Sequence, residues 1–120
     1  MNPIRRSLWR LCGCILVCSL FAGCRPALPP PTPLNQLNAQ QRRGYQDFQI
    51  YCAQCHDDRD SDSLHGPPLL GVFKQPYFPS GAPANDERLR MTLQEGHGLM
   101  PAININSEQT QDLLAYLHTL

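Results

Sequence analysis

The sequence predicts a small all-α domain, with three main helices and long loops that need something to wrap around. Three observations point there. Three stretches repeat apolar residues at the 3.6-residue helical period and start or stop on capping residues. No convincing alternating strand appears anywhere in the chain. The stretch between the first two helical patterns is long and rich in proline and glycine. At 120 residues one domain is the default, because a second would have almost no core. Ten Lys+Arg balance ten Asp+Glu, with 17% charged and 42% hydrophobic residues. That balance excludes a coiled coil, a bulk membrane protein and a strongly basic nucleic-acid binder.

The first residues read as a targeting segment rather than as part of the fold. Arg5, Arg6 and Arg10 form a positive region, followed by a 13-residue apolar run from Leu11 to Gly23. A bilayer crossing needs about 20 apolar residues, so the run has the length of a signal-peptide core. Leu20-Phe21-Ala22-Gly23-Cys24 then resembles the lipobox of bacterial lipoproteins, with Phe21 where leucine is usual. This implies a signal peptide over 1–23, cleavage before Cys24 and a lipid on the Cys24 thiol; an uncleaved anchor is the alternative. Cleavage leaves seven positive and ten negative charges, a net −3. Trp9, the only tryptophan, leaves with the leader, and so do Cys12, Cys14 and Cys18. With Cys24 taken by lipid and Cys52 and Cys55 used otherwise, no disulfide is left to form. A domain of about 85 residues without disulfides is small for its core, so a metal or cofactor is expected to fill it.

Residues 24–35 read as the lipidated cysteine and a tether. Pro26, Pro29, Pro30, Pro31 and Pro33 make an extended spacer. Its eleven residues from Arg25 to Asn35, at about 3.1 Å each, would hold a domain up to about 35 Å from a lipid anchor. The folded domain is expected over 36–120. Its first helix runs from about Asn38 to Cys55, with Leu37, Gly44, Phe48, Tyr51 and Cys55 on one stripe and Asn38 with Gln41 as a capping box. The second spans Asp86 to Glu95, with Asn85 as N-cap, acidic residues in the first turn and Gly96 at the exit. The third runs from Ser107 or Glu108 to the C-terminus, burying Leu113, Tyr116, Leu117 and Leu120, with Leu114 at the edge.

The chemistry is concentrated in Cys52-Ala53-Gln54-Cys55-His56. Cys-x-x-Cys-His is the attachment signature of c-type haem. At the end of a helix the two cysteines share a face, so each thiol can bond one vinyl group while His56 becomes an axial iron ligand. Zinc would need further ligands, and the mature chain has no second cysteine pair. A thioredoxin-like dithiol belongs to a βαβ context, which is absent. Candidates for the sixth iron ligand are His65, His97, His118, Met91 and Met100. Met100 is favoured because it lies in Gly96-His97-Gly98-Leu99-Met100-Pro101, a helix exit followed by a proline-stiffened turn. Glycine-flanked His97 is the second choice.

From Leu37 to Leu120 the chain resembles a class I c-type cytochrome, a single-haem electron carrier with a small all-α fold. Four features carry the resemblance: the Cys52–His56 motif with Gly44 and Phe48 ahead of it; the terminal-helix pattern Asp112-Leu113-Leu114-Ala115-Tyr116-Leu117; Gly66-Pro67-Pro68-Leu69; and Met100-Pro101. The resemblance implies that the first helix crosses closely over the last, with Leu113 and Tyr116 facing Gly44 and Phe48. It implies that the Pro67 carbonyl accepts the proton on Nδ1 of His56, and that His56 and Met100 are the iron ligands. A tryptophan commonly bonds a haem propionate in the family; here Tyr77, Arg88 or a backbone amide would stand in.

The expected function follows from that resemblance. A membrane-tethered monohaem cytochrome would carry single electrons between a redox donor and acceptor outside the cytoplasm, catalysing no bond rearrangement of its own. Two alternatives stay open: a haem-based sensor or ligand-binding protein with a labile sixth ligand, and a fixed haem subunit of a dehydrogenase or oxidase complex. Asp57, Asp58, Asp60 and Asp62, offset only by Arg59, read either as a solvated loop or as an acidic rim that steers a basic partner. A monomer is expected, on the periplasmic side of a bacterial membrane. Arg25 after the lipid cysteine leans towards the outer membrane of a Gram-negative cell. Neither nucleic acid nor enzymatic activity is expected.

Overall fold

The computed structural model describes residues 27–120. The leader, Cys24 and Arg25 lie outside the described residues. Three helices and a short 3-10 turn, Leu34–Gln36, make up the described secondary structure: α1 Ala39–Tyr51, α2 Asp86–Glu95 and α3 Ser107–Leu117. The fold is all-α, and no helix among the described residues is long and apolar enough to cross a membrane.

Each helix starts on an asparagine. The Asn38 side chain accepts from the Gln41 amide while the Gln41 side chain accepts from Asn38, both at 2.9 Å. This satisfies two of the orphan donors that every helix start exposes. Asn85 accepts from the Arg88 amide at 2.8 Å, and Asp86 and Glu87 oppose the positive end of the α2 dipole. Asn106 and Gln109 repeat the capping box on α3. α2 ends as expected on Gly96, at φ 77°.

α1 is shorter than its periodicity suggests. The Phe48 carbonyl accepts from both the Cys52 amide (2.8 Å) and the Ala53 amide (3.0 Å), so the last turn widens and the helix ends at Tyr51. Tyr51 and Cys55 therefore fall off the predicted stripe and are exposed; the buried line is Gly44, Phe48 and Cys52. α3 also stops early, at Leu117. Thr119 turns back on the Tyr116 carbonyl with its amide (2.8 Å) and its hydroxyl (2.6 Å). Leu114, expected at the edge, is only 3% exposed.

α1 and α3 cross at Gly44. A Cβ placed there would lie 1.9 Å from the Asp112 carbonyl oxygen and 2.9 Å from the Tyr116 Cβ, so only glycine lets the backbones meet. Around the crossing Tyr116 touches Tyr45 edge-on (centroids 5.3 Å) and Phe48 at a tilt (5.9 Å). Leu37, Leu93, Leu113, Leu117 and Leu120 complete the core. Beside it Asp112, 3% exposed, receives Arg43 in a two-pronged pair: Nε to Oδ2 at 2.6 Å, Nη2 to Oδ1 at 3.0 Å. This hydrogen bond raises the affinity of the Arg43 guanidinium for its proton.

The proline-rich segment lies along the domain from Leu28 onward. The Thr32 amide donates to the Thr119 carbonyl (2.8 Å), and the Thr32 carbonyl accepts from Arg59 Nη2 (2.7 Å). Leu28 sits on the bare backbone of Gly71, where a Cβ would come within 2.8 Å of its methyl carbon. Arg59 also neighbours the Tyr116 hydroxyl, which donates to Asp58 Oδ2. Burial first, and then the Asp58 carboxylate, push the Tyr116 hydroxyl well above the usual phenol range.

Gly44→Ala should destabilise the folded protein by about 1–3 kcal/mol or more, as overpacked cores do, outweighing a helix-propensity gain of up to about 1 kcal/mol. Chemical denaturation followed by circular dichroism measures it. Tyr116 predicts a pH effect. Its native form holds the proton more tightly than the unfolded chain, so its contribution is complete below the ordinary value of 10.0 and declines as pH rises above it. Unfolding free energies at about pH 9 and about pH 11.5 should therefore fall more steeply in the wild type than in Tyr116→Phe. Equal slopes would refute the assignment.

Candidate haem-attachment site

The five-residue motif occupies the turn that leaves α1. Cys55 and His56 amides both return to the Cys52 carbonyl, at 3.0 and 2.9 Å, which keeps the two thiols on one tight turn. Their surroundings differ: Cys52 is 8% exposed at the edge of the core, whereas Cys55 is exposed. Burial pushes the Cys52 thiol up to about 12, with Asp47 adding to the shift. Such a thiol stays protonated at neutral pH, unlike the low-pKa thiolates of dithiol redox sites. Among the described residues no three His, Cys, Asp or Glu side chains gather to hold a bare metal ion.

The loop that follows returns to cover His56. The Gly66 amide donates to the Cys55 carbonyl and the Leu69 amide to the Asp57 carbonyl, both at 2.7 Å. These two bonds lay Gly66–Leu69 alongside Cys55–Asp57. Pro67 then presents its carbonyl 2.7 Å from His56 Nδ1. A carbonyl only accepts, so Nδ1 carries the proton and Nε2 keeps its lone pair for a metal. Gly66 is pressed onto the imidazole: a Cβ there would lie 2.5 Å from Cε1 and 2.8 Å from Nδ1. Next to Pro67, Pro68 begins the wall of an apolar cleft of about 320 Å³, continued by Leu70, Val72, Tyr77 and Phe78.

Met100 stands on a second clamped turn. His97 and Met100 exchange both backbone hydrogen bonds at 2.9 Å, closing a two-residue loop of Gly98 and Leu99. Gly98 at φ 58° is the residue that lets the chain reverse. Gly96 approaches so closely that a Cβ would meet the Met100 carbonyl oxygen at 2.6 Å. The Ile103 amide ties the exit to the Leu93 carbonyl at 2.7 Å. Met100 is half-buried against the core, while the His97 side chain is exposed.

The other sequence candidates have different surroundings. His65 is exposed and Met91 is half-buried on α2. His118 caps the C-terminal end of α3, stacks on Phe73 at 4.0 Å and meets Asp86 with Nε2 at 2.7 Å. Tyr77 is 62% exposed and Arg88 half-buried. The acidic run divides in two. Asp57 Oδ1 accepts the Arg59 and Asp60 amides at 3.0 and 2.8 Å, and Asp58 binds Tyr116, whereas Asp60 and Asp62 are exposed. Sequence reasoning missed the linked set Asp58, Arg59, Tyr116 and Thr32. Its one signal was the lone arginine inside the acidic run.

Gly66→Ala tests the cradle. The added methyl would displace the imidazole, a side-chain end that moves at little cost, and would break its bond to Pro67. The expected result is a fold of nearly unchanged stability and a changed iron-ligand spectrum. Spectra identical to wild type would show that the ring does not depend on Gly66.

Two thiols on one turn and an imidazole with its lone pair free and oriented by a carbonyl fit a covalently attached haem. Comparison with curated proteins gives no match. The family model described as "Cytochrome C oxidase, cbb3-type, subunit III" matches residues 39–117, from the first residue of α1 to the last of α3. The chain therefore belongs to this family of c-type cytochrome domains, and its cofactor is haem c, bound through Cys52 and Cys55.

Proposed function

We propose that this chain is a lipid-anchored monohaem cytochrome that passes single electrons between two redox proteins outside the cytoplasm. The observation that carries the reading is the 2.7 Å bond from His56 Nδ1 to the Pro67 carbonyl, directly after the two cysteines. Bound haem supplies an iron that alternates between Fe(III) and Fe(II). His56 would hold that iron through Nε2, and the Pro67 carbonyl keeps the ring in one tautomer and raises its basicity. Met100 would supply a second ligand, whose thioether would favour the reduced state relative to a second imidazole. Support for Met100 over His97 comes from the turn itself: the His97 backbone holds Met100 while its own side chain faces water. With His56 and Met100 both holding the iron, no substrate would reach it, and the chain would rearrange no bonds. Cys24 carries the lipid, with the outer membrane as its site in a Gram-negative cell.

The family's description favours a second reading, in which the chain is a fixed haem subunit of an oxidase assembly. The tether suits that role as well. One preparation separates the two. Full-length protein, exported with the haem-attachment machinery and extracted from membranes, should show a covalent low-spin haem. Its oxidised spectrum should carry the weak red band of methionine–ferric iron, and Met100→Ala should lose that band and lower the reduction potential. Retention of the band would remove Met100 from the site. Elution as one small species supports the mobile carrier, whereas stable co-elution with membrane oxidoreductase subunits supports the fixed one.

A further inference from the structure

The proline-rich segment has a distinct consequence for how the domain meets its membrane. It is held at both ends. At one end Leu28 rests on Gly71, whose φ of 67° and lack of a side chain make the seat. At the other, Thr32 donates to Thr119 at 2.8 Å and accepts from Arg59 at 2.7 Å. Between them the Pro29 carbonyl lies 3.5 Å from Lys74 Nζ, and Pro31 and Thr32 are half-buried. The contacts come from the loop after the attachment motif, from the Gly71–Lys74 turn and from the end of α3, so three separate parts of the domain hold the strap.

We propose that the face bearing Leu28, Gly71 and Lys74 is turned toward the lipid surface that holds Cys24. The proposal rests on the lipid reading of Cys24 given above. Only residues 25–27 separate Cys24 from Leu28. Four Cα steps at about 3.5 Å span at most about 14 Å. A free spacer over the eleven residues from Arg25 to Asn35 would span about 35 Å. A domain of this size has a radius of gyration of about 12 Å and an outer radius of about 16 Å. The leash is thus no longer than the domain's own radius, and the domain cannot roll over at its anchor. Exposed Lys74 on the same face suits anionic headgroups. Redox partners then reach the domain from the sides turned away from the strap.

Neutron reflectometry on the full-length, haem-loaded protein in supported bilayers tests this. The wild-type layer should abut the headgroups with no water gap. Leu28→Asp combined with Thr32→Pro, which removes the seat and the donor to Thr119, should open a gap approaching about 20 Å, the difference between the two reaches. An unchanged visible spectrum certifies that the variant is folded. A water gap of that size already present under the wild type overturns the proposal without needing the variant, and so does a folded variant that stays against the headgroups. Intact-mass analysis of the same sample distinguishes the other failure. Absence of acyl groups on Cys24 would remove the lipid reading itself, whatever the height of the layer.

Discussion

The bare Cα of Gly44 against the Asp112 carbonyl is the contact on which the arrangement depends. It brings α1 and α3 to backbone distance, and everything the site needs hangs from that crossing. α1 ends one turn beyond Phe48, which packs on Tyr116, so the position of the two cysteines is inherited from the crossing. α3 in turn carries Tyr116 to Asp58 and Thr119 to Thr32, so the start of the post-motif loop and the proline strap are registered on the same helix. The Arg43–Asp112 pair holds the crossing from the side, using a carboxylate that would otherwise be buried without a partner.

The site is assembled from backbone more than from side chains. Carbonyls of Cys52, Cys55, Asp57 and Pro67 place the turn, the covering loop and the imidazole proton. Glycines at 66, 96 and 98 allow approaches and reversals that a Cβ would block. Backbone placement suits an electron-transfer centre, because side chains held by turns closed at both ends move little when the charge beside them changes. Small reorganisation is the requirement that such a centre must meet.

The helices and the family were legible in the sequence because they rest on local rules: asparagine caps, an exit glycine, and cysteines at fixed spacing. Gly44, Phe48, Leu113 and Tyr116 were legible only through their joint spacing, since each alone is an ordinary core residue. What was not legible depends on contacts between segments far apart in the chain. The periodicity of α1 continues through Tyr51 to Cys55, and nothing local reveals that Phe48 will accept two amides and end the helix early. Four aspartates in six residues read as one charged surface, yet Asp58 binds inward to Tyr116 and Asp57 ties the amides of its own loop. Proline content announced an extended conformation for the strap without saying that it would lie on the domain.

The turn between His97 and Met100 divides its own positions into constrained and free. Gly96 is bound by its approach to the Met100 carbonyl and Gly98 by its backbone angle, so neither can take a side chain without altering the stretch that runs from Gly98 to Met100. Leu99 within that stretch is fully exposed and has no contact to lose. Sequence drift at position 99 is therefore uncoupled from the backbone clamp on either side of it. Single substitutions can reshape that exposed position without disturbing the turn that carries Met100, the proposed iron ligand.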